Sequence, residues 1–166
     1  ALPDALVGVV APLEDRRELA LSLGADFSRA PETASNAVAE LTGGLGADAI
    51  FDTAGGSGAL LACLELGRRG STVVLFAHAG AGEQAGFERD RLFKEERRLV
   101  ASYSGGVKEQ DAAWELMLSG ALDPAALVSA RVGLENFGQA LELVRDRVIV
   151  VVQAGPFSPV HVKSAS

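Results

Sequence analysis

A glycine-rich stretch, FDTAGGSGALLACLELG at residues 51–67, has the composition of a turn that holds a phosphate group between a strand and a helix. Gly56 and Gly58 could serve as the first two glycines of the G-x-G-x-x-G fingerprint. The third position is Leu61, where close packing of the helix on the strand requires a residue without a side chain. The fingerprint is incomplete, so the stretch predicts a strand, a turn and a helix and leaves the ligand open.

The same turn also suggests nucleophilic catalysis. GGSGA differs at its last residue from the nucleophile-elbow pattern G-x-S-x-G, and Ser57 could attack with His161 as the base and Asp123 as the acid. The order Ser, Asp, His is that of the α/β-hydrolases. Ala59 breaks the pattern, however, and His161 lies in a proline-containing tail. A serine hydrolase is therefore kept as an alternative only.

Zinc chemistry would need soft ligands, and the sequence offers three: Cys63, His78 and His161. They show neither C-x-x-C nor H-x-x-x-H spacing, and Cys63 falls within an apolar helix where a buried thiol is inert. We therefore expect no metal site and assign no catalytic residue to this chain. A lone cysteine cannot form an internal disulfide, which favours a soluble, reducing compartment, the cytoplasm.

Chain length and net charge limit the domain organisation and the possible partners. The 166 residues suit a single domain, which we place at residues 1–153 and follow with a tail at 154–166. The 22 acidic and 15 basic side chains give a net charge of −7, which repels nucleic acids and anionic lipid surfaces. No apolar run approaches the roughly 20 residues that span a bilayer. We expect neither nucleic acid nor membrane as a partner.

Hydrophobic periodicity places the elements that must position these residues. Short apolar runs predict strands at residues 5–10, 47–53, 71–77, 97–104 and 148–152. Segments with helical spacing and end signals predict helices at residues 14–24, 33–44, 59–66, 88–96, 108–120 and 134–144. Alternation of buried strands with helices predicts the α/β class, a doubly wound parallel sheet.

Several of these segments, in this order, resemble the cofactor domain of the medium-chain, zinc-type alcohol and polyol dehydrogenases. The resemblance covers about residues 6–147 and is carried by EDRRELALSLGAD, LTGGLGADAIFDTAGG, ALLACLELGRRGSTVVLFA, LFKEERRLVASYSGG and LENFGQALELVRD. It implies a Rossmann-like domain that binds NAD or NADP, while zinc sits in a separate catalytic domain that the sequence lacks. Because the chain starts at Ala1 without methionine, we expect it to be processed or part of a longer protein.

The resemblance also implies where a cofactor would touch this chain, at the carboxyl ends of three strands. The residues concerned are Asp52, Thr53, Ala54, Phe76, Ala77, His78, Ser102 and Tyr103. In the alternative interpretation Phe76 is a core residue, Asp52 caps a turn, and Ser102 and Tyr103 pair within a strand.

Three features of the family's cofactor site are missing or altered. Its glycine fingerprint would lie upstream of Ala1, Ala11 replaces the acid that holds the adenosine ribose, and Val150 replaces a cation near the pyrophosphate. We therefore expect NAD or NADP binding that is weak or lost. Arg16 and Arg17 could suit the 2′-phosphate of NADP, or they form a solvated helix face.

By resemblance, the full-length protein would oxidise a small alcohol or polyol, and this chain alone would be inactive. The alternative is a non-catalytic, self-associating remnant. In the family an edge strand, here residues 98–103, meets its copy across a two-fold axis, so we expect a homodimer.

The first strand of the doubly wound order lies at the centre of the sheet and is missing from this sequence. Unpaired buried backbone groups cost about 1–3 kcal/mol each, so we expect residues 5–10 to pair directly with residues 48–53 and close the gap.

Overall fold

A computed structural model of the chain describes residues 5–145 and 150–153. The chain divides after Tyr103 into two compact units. Both combine helices with parallel strands, which confirms the predicted α/β class. The predicted division into a domain at 1–153 and a tail at 154–166 stays a prediction, because the tail lies outside the described residues. No helix among the described residues is long and apolar enough to cross a membrane.

The first unit alternates strands with helices along its whole length. Its described strands are β1 (Gly8–Val10), β2 (Phe27–Arg29), β3 (Ala47–Asp52), β4 (Gly67–Leu75) and β5 (Arg98–Ala101). Its described helices are α1 (Glu14–Ser22), α2 (Pro31–Leu41), α3 (Ser57–Leu66) and α4 (Arg89–Lys94). The sequence analysis missed β2, because three residues with one apolar side chain show no hydrophobic periodicity.

The second unit contains two further strands and two helices among its described residues, α5 (Val107–Leu118), β6 (Ala130–Gly133), α6 (Phe137–Arg145) and β7 (Val150–Gln153). Strands β6 and β7 pair in parallel. The helix predicted at residues 134–144 begins instead with a 3-10 turn, Leu134–Asn136, before α6. Strand β6 was not predicted, and part of the predicted strand at 148–152 lies outside the described residues.

The strands of the first unit form two separate parallel sheets, β1–β2 and β3–β4–β5. Val9 lies opposite Ser28 in the first sheet, and Val73 lies between Ile50 and Leu99 in the second. These pairings fit the doubly wound order with its central position unfilled by any described residue.

The predicted pairing of residues 5–10 with residues 48–53 is wrong. Strand β1 pairs with β2, and no backbone ladder joins β1 to β3 within the described residues. The prediction assumed that the unpaired backbone groups would be buried. Val10 and Phe51 are instead 41% and 64% exposed, so water can reach both edges and satisfy their backbone groups.

The core of the first unit lies between α3 and the three-stranded sheet. Leu60 and Leu64 pack there against Val73, which is fully buried because β4 has a strand on each side. Half-buried apolar side chains surround this cluster: Ile50, Cys63, Leu75, Ala85, Leu92 and Leu99. Burial of each core side chain contributes about 1.5–3 kcal/mol, so α3 is fixed firmly on the sheet.

Candidate functional site

The carboxyl ends of β3, β4 and β5 are level with one another. Asp52 lies opposite Leu75, which lies opposite Ala101, and the Ser102 amide donates to the Leu75 carbonyl at 3.0 Å. The residues at and just beyond these ends therefore share one edge, which we call the rim. The rim contains all eight residues that the sequence analysis proposed: Asp52, Thr53, Ala54, Phe76, Ala77, His78, Ser102 and Tyr103.

Asp52 holds two turns of the rim in place. Its carboxylate oxygen Oδ1 accepts hydrogen bonds from the amides of Ala54 at 3.1 Å and Gly55 at 2.9 Å. Its carbonyl oxygen accepts from the amides of Phe76 and Ala77, both at 3.0 Å. The side chain is 3% exposed, so Asp52 lies beneath the rim and supports it. The alternative interpretation of Asp52 as a turn cap describes this geometry.

Most other rim residues face solvent. Phe76 is 62% exposed and Tyr103 is 81% exposed, so neither is a core residue. Ser102 and Tyr103 lie beyond the end of β5, although the Ser102 amide still donates a hydrogen bond to β4. The rings of His78 and Tyr103 meet edge to face with centroids 5.5 Å apart. The rim thus offers aromatic faces and hydroxyl groups, the surface that a flat polar ring can contact.

The glycine turn at residues 55–57 lies beside the rim and leads into α3. Gly55 and Gly56 have φ values of 73° and 85°, in the left-handed region that glycine favours. A Cβ atom on Gly55 would lie 2.1 Å from the carbonyl oxygen of His78, so the chain after β4 runs directly against this turn.

A carboxylate of the chain itself occupies the start of α3. Glu83 Oε1 accepts from the Ser57 amide at 2.5 Å, and Oε2 accepts from the Gly80 amide at 3.1 Å. Hydrogen bonds from the Ser57 amide and hydroxyl, and then from the Gly80 amide, hold the pKa of Glu83 below its usual value. Glu83 was not predicted to have a role, because nothing in a loop of small residues links it to a turn 26 residues away.

Two residues of the serine-hydrolase alternative, Ser57 and Asp123, lie in the described part of the chain. The Ser57 hydroxyl lies beside Glu83. Asp123 Oδ1 accepts from the Ala125 amide at 2.9 Å and caps a 3-10 turn. His161 lies outside the described residues, so its role stays untested.

Zinc has no suitable donor set in the part of the chain that the structure describes. No three His, Cys, Asp or Glu side chains cluster there. Burial, and then the nearby charge of Asp52, raise the pKa of Cys63 to about 11, which disfavours the thiolate that a metal needs. These residues do not fit a zinc ion.

Arg17 lies at the carboxyl end of β1, beside the position of Ala11. Its Nη1 donates to the carbonyl oxygens of Ala11 and Pro12, both at 2.8 Å. The end of β1 therefore presents a cation, and Ala11 itself offers no carboxylate. Val150 belongs to β7 in the second unit.

Comparisons with known proteins agree with this fold. Residues 4–119 match the family model described as zinc-binding dehydrogenase. A Rhizobium meliloti (strain 1021) protein named as a D-xylulose reductase is 33% identical over 115 residues, which cover 67% of this chain and 32% of that protein. The chain thus spans about a third of the length of this curated relative.

Solved structures show the same likeness. An alcohol dehydrogenase from Thermotoga maritima superposes with a TM-score of 0.82 at 24% identity, over 91% of this chain and 44% of that one. An alcohol dehydrogenase from Thermus sp. ATN1 gives 0.77 at 25% identity, over 87% and 43%. The predicted family resemblance is confirmed: the chain belongs to the zinc-binding dehydrogenase family of oxidoreductases.

Proposed function

We propose that this chain is the cofactor-binding portion of a cytoplasmic, NAD(P)-dependent oxidoreductase that acts on a small alcohol or polyol. One observation carries the proposal: three strands end level with one another and place eight residues along one edge of the sheet, most of them exposed. In open α/β sheets, ligands bind outside the carboxyl ends of the strands. The names of the relatives, a D-xylulose reductase and alcohol dehydrogenases, support the substrate class.

The rim residues divide into a supporting residue and contacting residues. Asp52 positions the turns after β3 and β4 through four hydrogen bonds to backbone amides. The exposed side chains of Thr53, Phe76 and Tyr103 are free to contact the nicotinamide ring. The cofactor supplies the hydride chemistry, and the protein contributes orientation and exclusion of water.

The adenosine end of the cofactor is held less well. Ala11 offers no carboxylate to the ribose hydroxyls, and by resemblance Val150 offers no cation to the pyrophosphate. Loss of two charge-assisted contacts costs about 3–6 kcal/mol, or roughly two to four decades in affinity. NAD binding by this chain alone is therefore weak, and without zinc ligands the chain alone is not a competent dehydrogenase.

Arg17 favours NADP over NAD. A guanidinium at the end of β1 can pair with the 2′-phosphate, and the missing acid at Ala11 removes a repulsive charge. A charge-assisted contact of this kind is worth about tenfold in affinity.

Calorimetric titration with NADH and NADPH tests this proposal. We expect an NADH dissociation constant above about 100 µM and NADPH binding that is about tenfold tighter. Arg17→Ala should remove the difference, whereas Arg89→Ala, which changes an exposed arginine at the start of α4, should keep it. Low-micromolar NADH binding would refute the weak adenosine site. The proposed function would be refuted if, at millimolar concentration, neither cofactor shifts the NMR resonance of any rim residue.

A second role, self-association, has its own support. Strand β5 is the outer strand of its sheet and pairs only with β4 among the described residues. Its Val100 is 43% exposed. Exposed strand edges pair readily with other chains, so we propose that residues 98–103 form the interface of a homodimer.

A further inference from the structure

The segment between β4 and α4, residues 79–87, crosses from the rim toward α4, and we call it the strap. Its residues 79–84 are all exposed. At its far end Ala85 packs against the core cluster. At its near end the His78 carbonyl lies against the glycine turn at Gly55. The strap is thus fixed at both ends and exposed in the middle.

Glu83 attaches the middle of the strap to α3. Its carboxylate receives the Ser57 amide at 2.5 Å and the Gly80 amide at 3.1 Å, while its own amide donates to the Gly80 carbonyl at 3.0 Å. One side chain thereby closes the turn at residues 80–83 and joins it to a helix 26 positions away. No other hydrogen bond or ion pair is seen between residues 79–84 and another element in the described part of the chain.

The chemistry of this contact favours a charged carboxylate. The first amides of a helix have no partner within the helix, and they carry partial positive charge. A carboxylate satisfies them through short, charge-assisted hydrogen bonds, which a neutral side chain makes less well. Because Glu83 is exposed, this bond can also open without disturbing the core.

We propose that Glu83 is a latch: its carboxylate holds the strap closed over the glycine turn at residues 55–57, and release of the strap opens that turn and the adjoining rim to a ligand. The rim itself does not depend on the latch, since the Asp52 carbonyl holds Phe76 and Ala77 independently. Opening therefore uncovers a rim that stays in place. Only the identity of the ligand depends on the proposed function.

The closed strap disfavours a nucleotide in two ways. It covers the turn next to the rim, and it places the negative charge of Glu83 beside the rim, where that charge repels an anionic ligand. A chain with an open strap should consequently bind the cofactor more tightly. This makes Glu83 an autoinhibitory residue.

Two variants, Glu83→Ala and Glu83→Gln, test the latch against Gln84→Ala, the neighbouring exposed residue of the strap. Elastase, which cleaves after small residues, reports strap opening, and hydrogen exchange of the Ser57 amide reports release of α3. In Glu83→Ala both rates should rise about two- to tenfold, the factor expected for loss of an exposed hydrogen bond. Glu83→Gln, which keeps an acceptor oxygen, should lie between Glu83→Ala and the parent chain, and Gln84→Ala should match the parent chain.

Titration of the same variants with NADPH tests the autoinhibition. We expect Glu83→Ala to bind NADPH about two- to tenfold more tightly than the parent chain. Unchanged cleavage and exchange would overturn the latch, and faster cleavage with unchanged or weaker NADPH binding would overturn its control of the rim. If no variant binds NADPH but cleavage and exchange respond, the proposed function fails and the latch stands.

Discussion

The two sheets of the first unit bury very different amounts of their strands. In β3–β4–β5, Ser71 and Val73 of the central strand are fully buried. In β1–β2, no residue of β1 is buried, and Val10 is 41% exposed. The cause is the number of neighbours, since β4 has strands on both sides and α3 above it, whereas β1 has one three-residue partner. The sheet whose strands end at the rim is therefore well packed, and the sheet next to Ala11 and Arg17 is largely exposed to solvent.

Truncation of one apolar side chain in each sheet region tests this contrast. Leu64→Ala, in the core of the three-stranded sheet, should lower the free energy of unfolding by about 2–4 kcal/mol, because it leaves a cavity. Val10→Ala in β1 should cost less than about 1 kcal/mol, since the side chain is already partly exposed. Urea unfolding followed by circular dichroism measures both. Equal losses would show that the two sheets are equally well packed.

The reactivity of Cys63 measures how well α3 shields its inner face. Desolvation by burial, followed by the charge of Asp52, raises the pKa of this thiol from 9.0 to about 11. Below pH 9 the thiolate fraction is therefore about 100-fold lower than for an ordinary thiol, and alkylation should keep accelerating up to about pH 11. The rate with iodoacetamide across this pH range tests the prediction. In urea the ordinary profile should return, and an ordinary profile in the native chain would contradict the shielding.

A substitution at the outer edge of β5 tests whether the three-stranded sheet pairs with a copy of itself. Val100→Lys places a charge on this edge and should weaken the proposed homodimer about tenfold, because like charges meet across the two-fold axis. Sedimentation at several concentrations gives the dimer dissociation constant. Val107→Lys, an exposed valine at the start of α5, is the matched control and should leave it unchanged. A parent chain that stays monomeric throughout would refute the interface.

Much of the fold and the rim could be predicted from the sequence, and what was missed has physical causes. Continuous apolar runs predicted β3 and β4. The helical spacing of Ala34, Ala37 and Val38 predicted the buried face of α2. The rim residues were named from the family resemblance, and the structure brings them to one edge because the ends of parallel strands meet there. Strand β2 was too short to show a pattern. The separation of the two sheets could not be predicted, because it depends on solvent access to β1 and β3. The contact of Glu83 with Ser57 could not be predicted either, because it depends on the tertiary fold.

The approach of His78 to Gly55 also limits how this protein can vary. A side chain at position 55 would require both a left-handed backbone and the space that the His78 carbonyl occupies. At Gly58, three residues further on, a Cβ atom would meet nothing within 4 Å. Gly55 is therefore closed to evolutionary drift and to protein engineering alike, whereas Gly58, at the start of α3, is a position where new side chains can be introduced.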